Sequence, residues 1–152
     1  MDNAALAAQQ KTLDALRKRM NGGVSWFSWF IGLSILQTIL QTGLPVFGIE
    51  MPFSLGLGIT FLLIPFVYEL TGSFALTILL NAVPIAVLAV IAGAARKSLA
   101  AYGLGIALMM ADFGVYIAMP DWIGIGFHAV ALVFFVRGFL ALRDMQRLRE
   151  PR

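Results

Sequence analysis

The sequence contains no cysteine and only one histidine, His128. The first absence excludes disulfides and thiol metal ligands. The second leaves no paired-histidine spacing for a metal centre, so His128, Asp112 and Glu69 could supply ligands only as an irregular set. Haem would need His128 with a methionine such as Met109 or Met110, or with the histidine of a second copy. No cofactor is assigned, and the expected metal set is none. Charge is also scarce. Only 12% of the 152 residues are charged, whereas a soluble domain carries about a quarter. Within this small set, Lys and Arg are missing altogether from 43–73 and from 119–122.

Apolar runs fill the space that charge vacates. Hydrophobic residues make up 60% of the chain, and the mean hydropathy is +0.87. Several runs approach the ~20 residues that cross a bilayer as a helix. The expected fold class is an all-α membrane protein with four transmembrane helices, one re-entrant or half-membrane segment and an N-terminal amphipathic helix. The spans are expected at about 24–47, 74–95, 99–118 and 123–142, within a bundle over 24–142.

Residues 1–23 are polar and lack an apolar core with a small-residue cleavage site, so no signal peptide is expected. Leu6, Leu13, Leu16 and Met20 instead share one helical face. That face predicts a helix lying on the membrane surface, or a seam pairing with another copy, since Leu6, Leu13 and Met20 are spaced by sevens. Asn21-Gly22-Gly23 is expected to break this helix. Trp26 and Trp29 then suit an interfacial belt. Residues 143–152 form a basic tail that continues the last helix.

The segment 53–70 is apolar but short, interrupted by Gly56, Gly58 and Pro65 and closed by Glu69. Charge placement decides how it is threaded. If it crosses, Arg96, Lys97 and the C-terminal cluster land opposite Lys11, Arg17, Lys18 and Arg19. If it dips in and returns, all eleven basic residues fall on one side, with four acids. Glu50, Glu69, Asp112 and Asp121 then occupy the other half. The positive-inside rule favours the second arrangement, with both termini cytoplasmic in a plasma membrane of the bacterial inner-membrane kind. The basic residues hug span ends, so Arg17, Lys18, Arg19, Arg96, Lys97, Arg143 and Arg147 are expected contacts for anionic inner-leaflet lipids. That placement accounts for the pI near 9.7 without nucleic acid, for which no recognition motif is present.

Packing signals point to close helix contacts. Gly103, Ala107 and Ala111 recur every four residues, as do Ala82 with Ala86 and Ala89 with Gly93. Such ridges serve contacts within one chain, or a homo-oligomer or larger membrane complex. Re-entrant backbone must also be covered by protein rather than lipid.

Polar residues inside the spans fall at one depth. Asp112 and His128 each lie eight residues from Pro120, at positions 112, 120 and 128. Gln41 and Asn81 lie at similar distances from their span ends, about 9–12 Å below the outer boundary at 1.5 Å per residue. An ionised acid there needs a partner, and His128 is the obvious one for Asp112. Asp112 shares a face with Tyr116, and His128 with Gly124. The missing side chain of Gly124 leaves room for the neighbouring helix near Tyr116.

The candidate ligand or proton site is therefore Asp112, His128, Asn81, Gln41 and Glu69. The layer is either a satisfied network that pins the hairpin or a functional site. The leading reading is a small polytopic integral membrane protein acting as an oligomeric, non-enzymatic binding or accessory subunit. The alternative is a small channel or proton-linked transporter using the Asp-His pair. An intramembrane enzyme trails, because Ser73 and Thr77 are conceivable nucleophiles with no motif around them.

Overall fold

The computed structural model describes residues 3–43, 54, 56–119 and 121–149. The described residues are helical almost throughout, with no strand among them. The helices are α1 (Asn3–Gly43), α2 (Gly58–Thr71), α3 (Phe74–Ala95), α4 (Leu99–Ala118) and α5 (Trp122–Arg149). Four of them, all but α2, are long and apolar enough to cross a membrane. At 1.5 Å per residue, α2 is about 21 Å long, short of a hydrocarbon core of about 30 Å. The last residues expected of the first span, 44–47, lie outside the described residues, as do Asp2, Glu50, Pro120 and the tail from Glu150.

Serines set two of the helix starts. Ser73 accepts the Leu76 N–H at 3.3 Å and Ser98 accepts the Ala101 N–H at 3.2 Å, so each satisfies a first-turn donor. Between α2 and α3, Gly72 takes φ 62° and donates its N–H to Tyr68 O at 2.8 Å. That left-handed conformation is cheap only for glycine. It reverses the chain within two residues, so α2 and α3 form a hairpin.

The break expected at Asn21-Gly22-Gly23 does not form: α1 is one helix of 41 residues. Gly23 is buried against α5 and α4. A Cβ on it would meet Tyr102 Oη at 2.1 Å, Phe134 O at 2.8 Å and the Gly138 Cα at 2.9 Å. Here glycine serves close approach between backbones, and helix continuity costs only about 1 kcal/mol at such a residue. The N-terminal apolar face is used inside the chain. Leu13, Leu16 and Met20 join the core that includes Ala141, Leu142 and Met145 of α5, while Leu6 stays exposed.

The core between α1, α4 and α5 is aromatic. Phe27 and Phe135 have ring centroids 4.2 Å apart, and Phe27 meets Tyr102 edge-on at 5.6 Å. Trp26 turns inward against Phe127 and Phe134, at 5.5 and 5.3 Å, while Trp29 remains exposed. The far ends of the bundle differ in charge. Arg17 of α1, Arg96 and Lys97 of the α3–α4 turn, and Gln146 of α5 line one pocket. This basic end therefore gathers the N-terminal half of α1, the 96–98 turn and the C-terminal part of α5. The small-residue ridges face outward: Ala107 and Ala111 on α4, and Ala82, Ala86, Ala89 and Gly93 on α3, are exposed.

Candidate functional site

The chain leaves helical geometry before α2, so the N–H groups around residues 54–59 need acceptors from elsewhere. Leu57, at the N-cap position of α2, offers no capping side chain. Other helices supply them. Ser54 N–H donates to Asp121 Oδ2 at 2.9 Å, Gly56 N–H to Gln37 Oε1 at 2.7 Å, and Leu57 N–H to Ser34 Oγ at 2.8 Å. Gly58 and Ile59 then donate to the two oxygens of Asp112, at 2.9 and 3.0 Å. Tyr116 Oη reaches Gly56 O at 2.9 Å and Ser54 Oγ at 2.5 Å. Ser54 Oγ also donates to Gln37 Oε1 at 2.6 Å.

Asp112 thus caps α2 from across the bundle. Its carboxylate sits where the free N–H groups and the dipole of α2 both favour negative charge. His128 holds it there: Nε2 lies 2.9 Å from Oδ2. The other ring nitrogen, Nδ1, lies 2.8 Å from Gly124 O. A carbonyl only accepts, so Nδ1 carries a proton. One further proton lies between Nε2 and Oδ2. Whether it rests on nitrogen or on oxygen, the pair has no net charge, which limits the cost of burying it.

Aromatic rings wall the imidazole. Tyr116 lies 4.3 Å and Phe30 4.7 Å from it, centroid to centroid. Gly124 makes the Tyr116 contact possible, since a Cβ there would fall 2.1 Å from the Tyr116 ring. The room expected beside Gly124 is filled by that ring. Asp121 is the N-cap of α5, accepting from Ile123 and Gly124 at 3.1 Å each.

The remaining sequence candidates are placed apart from this cap. Glu69 is exposed in the last turn of α2, at the end of that helix opposite Asp112. Asn81 is fully buried; its Nδ2 donates to Thr77 O at 2.9 Å, while Oδ1 has no partner among the described residues. Gln41 is half-buried, with Oε1 unpartnered. Thr77 Oγ1 is taken up by Ser73 O at 3.0 Å, and Ser73 Oγ caps α3, so neither hydroxyl faces an activating base. Among the described residues, no three His, Asp or Glu side chains converge as a metal site.

Ser34, Gln37, Ser54 and Tyr116 do as much here as the predicted acids. One turn of α1 carries both Ser34 and Gln37, and that spacing was the available signal: two acceptors on one face, level with a Gly-rich segment in need of them. The buried α1 hydroxyls donate along the helix, Ser34 to Phe30 O at 2.7 Å, Thr38 to Ser34 O at 2.8 Å and Thr42 to Thr38 O. No family model, curated protein or solved structure matches the chain.

Proposed function

We propose that this chain is a non-enzymatic integral membrane protein that binds a small neutral hydrogen-bonding molecule in the polar layer of its outer half. The carrying observation is a contrast between charges and amides. Asp112 and His128 spend their capacity on each other and on α2, whereas Gln37 Nε2 and Asn81 Oδ1 are buried without partners among the described residues. An orphaned buried amide costs about 1–3 kcal/mol, which a bound molecule would relieve. Gln37 lies six residues from the end of α1 (37 to 43) and Asn81 seven from the start of α3 (74 to 81). The two helices pack against each other, which supports reading these amides as one layer, with Gln41 one turn along α1 from Gln37. They offer one donor group and two acceptor oxygens. Among the described residues, the one ionisable pair in the layer, Asp112 with His128, already balances itself, so the layer fits a hydroxyl- or amide-bearing molecule rather than an ion.

In this reading α2 is re-entrant. Ser54 is tied to Asp121, before α5 begins, and Gly58 is tied to Asp112, well inside α4. A descent over four residues followed by a short helix supports a dip rather than a crossing. The basic end then faces the cytoplasm, with both termini, in a bacterial inner membrane. The outward small-residue ridges support a homo-oligomer.

A second reading, proton-linked transport, rests on a different observation: the Asp112 oxygen that meets His128 Nε2 is the one that accepts the Gly58 N–H, so the proton shared with His128 borders the anchor of α2. Its loss or gain would change the hold on that helix.

Native mass spectrometry of gently solubilised protein tests the first reading. A neutral molecule should leave the wild-type protein and be missing from Asn81→Leu. An empty wild type, with a higher melting temperature for Asn81→Leu, overturns it. Proton flux into proteoliposomes that Asp112→Asn abolishes would install the second reading.

A further inference from the structure

The basic end holds a cavity of about 280 Å³ that the polar-layer site does not involve. Arg17, Arg96 and Lys97 supply three cations around it, Gln146 a neutral polar group, and Met20, Leu142 and Met145 the apolar part. No acid lines it. The two described acids on this side are engaged elsewhere: Asp14 accepts from Gln10 Nε2 at 3.2 Å, and Asp144 lies 3.5 Å from Arg143 Nε. Among the described residues, then, no carboxylate pairs with the three cations. Three positive charges around one cavity repel each other unless an anion joins them.

We infer that this cavity is a binding site for a phosphate-bearing anion, seated between the first half of α1, the 96–98 turn and the end of α5. Arginine matches phosphate with a planar fork of donors, and lysine adds a compact charge. The apolar residues indicate what accompanies the phosphate. Met20, Leu142 and Met145 are themselves nearly buried and open onto the cavity beside the cations. This pairing of cations with flexible thioethers fits a headgroup with a chain attached, and methionine adapts to such a chain. The cavity lies at the turn between two spans, the level at which lipid headgroups sit. Lys18, Arg19 and Arg147 are also basic and exposed, but they do not line it. They belong to the diffuse field that attracts any anionic surface, whereas Arg17, Arg96 and Lys97 form a site.

The phosphate can come from an anionic phospholipid or from a soluble phosphate compound, and one experiment separates them. Full-length protein is reconstituted in nanodiscs of phosphatidylcholine with or without phosphatidylglycerol, and its melting temperature and retained lipid are measured. A parallel series in phosphatidylcholine receives inorganic phosphate or pyrophosphate instead. The variants are Arg96→Gln with Lys97→Gln, and, as a charge-matched control, Lys18→Gln with Arg19→Gln. Phosphatidylglycerol should raise the wild-type melting temperature and remain bound through delipidation. Losing two charge-assisted contacts should weaken that retention by roughly tenfold or more, while the control keeps it. Stabilisation by the soluble anions alone, lost in the same variant, assigns the site to a soluble phosphate compound. Equal losses in both variants overturn the proposal in favour of the diffuse field, as does no effect of either anion on the wild type. Melting of each variant in phosphatidylcholine alone reports whether it folds. Should Arg96→Gln with Lys97→Gln fail there, Arg17→Gln takes its place.

Discussion

His128 Nε2 lies 2.9 Å from Asp112 Oδ2, and the same oxygen accepts the Gly58 N–H at 2.9 Å. One carboxylate oxygen therefore joins α5 to the start of α2 through α4. This ties the stability of the α4–α5 hairpin to the position of a helix that neither α4 nor α5 adjoins in sequence.

The first prediction follows from that sharing. Asp112→Asn keeps the shape, and its amide can donate to Nε2 of a neutral His128. The Gly58 N–H then faces an NH2 group and loses its acceptor. The loss should be about 1–3 kcal/mol. His128→Gln should cost a similar amount, because Asp112 loses its partner in an apolar surrounding. If the pair acts as a unit, the double variant loses less than the sum, by about 0.5–3 kcal/mol. Denaturant unfolding of the four proteins in one detergent measures this. Additive losses would show that the two side chains act independently.

Gly124 and Gly126 give a paired test of the packing around His128. A Cβ at Gly124 would meet the Tyr116 ring at 2.1 Å, whereas one at Gly126 meets nothing within 4 Å. Gly124→Ala should push Tyr116 off Gly56 O and Ser54, destabilising by about 1–3 kcal/mol through overpacking. Gly126→Ala should be neutral or stabilise by up to about 1 kcal/mol, from helix propensity. The thermal melts should separate in that order. Equal effects would mean that Tyr116 has room to move.

The four helices long and apolar enough to cross a membrane were legible because lipid makes apolar length a direct signal. For α3 and α4 the bounds 74–95 and 99–118 coincide with the helices, helped by the capping serines. The Asp112–His128 contact was legible for a similar reason: equal counts from a turn give equal depth, and Gly124 shows which faces meet. The larger part of Asp112's work was not. Its other partners are backbone N–H groups, and these have no residue type to read. Gly23 hides in another way. A glycine that breaks a helix and one that lets two helices touch look alike until Gly138 and Tyr102 are placed against it. Glu69, expected above or beside the layer, is carried away from Asp112 by most of the length of α2.

Oligomerisation has its test at Ala107. This residue and Ala111 are exposed, so a larger side chain there can extend outward. If the ridge seats a second copy, Ala107→Leu should shift the complex toward monomer without lowering the melting temperature of the monomer. Native mass spectrometry in mild detergent reads the ratio. A wild type found only as monomer would remove the homo-oligomer from the reading.

Tyr102 supplies a prediction of the opposite sign. Its ring is fully buried against Phe27 and Phe139, at centroid distances of 5.6 and 6.0 Å. Its hydroxyl has no hydrogen-bond partner among the described residues and sits at the Gly23–Gly138 crossing. A buried hydroxyl without a partner costs about 1–3 kcal/mol, while the ring itself contributes packing. Tyr102→Phe keeps the ring and removes the orphan, so it should stabilise by about 1 kcal/mol, after allowing for the small void left between the two glycines. Tyr102→Leu removes the ring as well and should destabilise by about 2–4 kcal/mol, in the range of large core truncations. Urea melts of the three proteins in one micelle should therefore place Phe above the wild type and Leu well below it. If Tyr102→Phe falls below the wild type by more than 1 kcal/mol, the hydroxyl has a partner at the crossing and the helices meet there in another way.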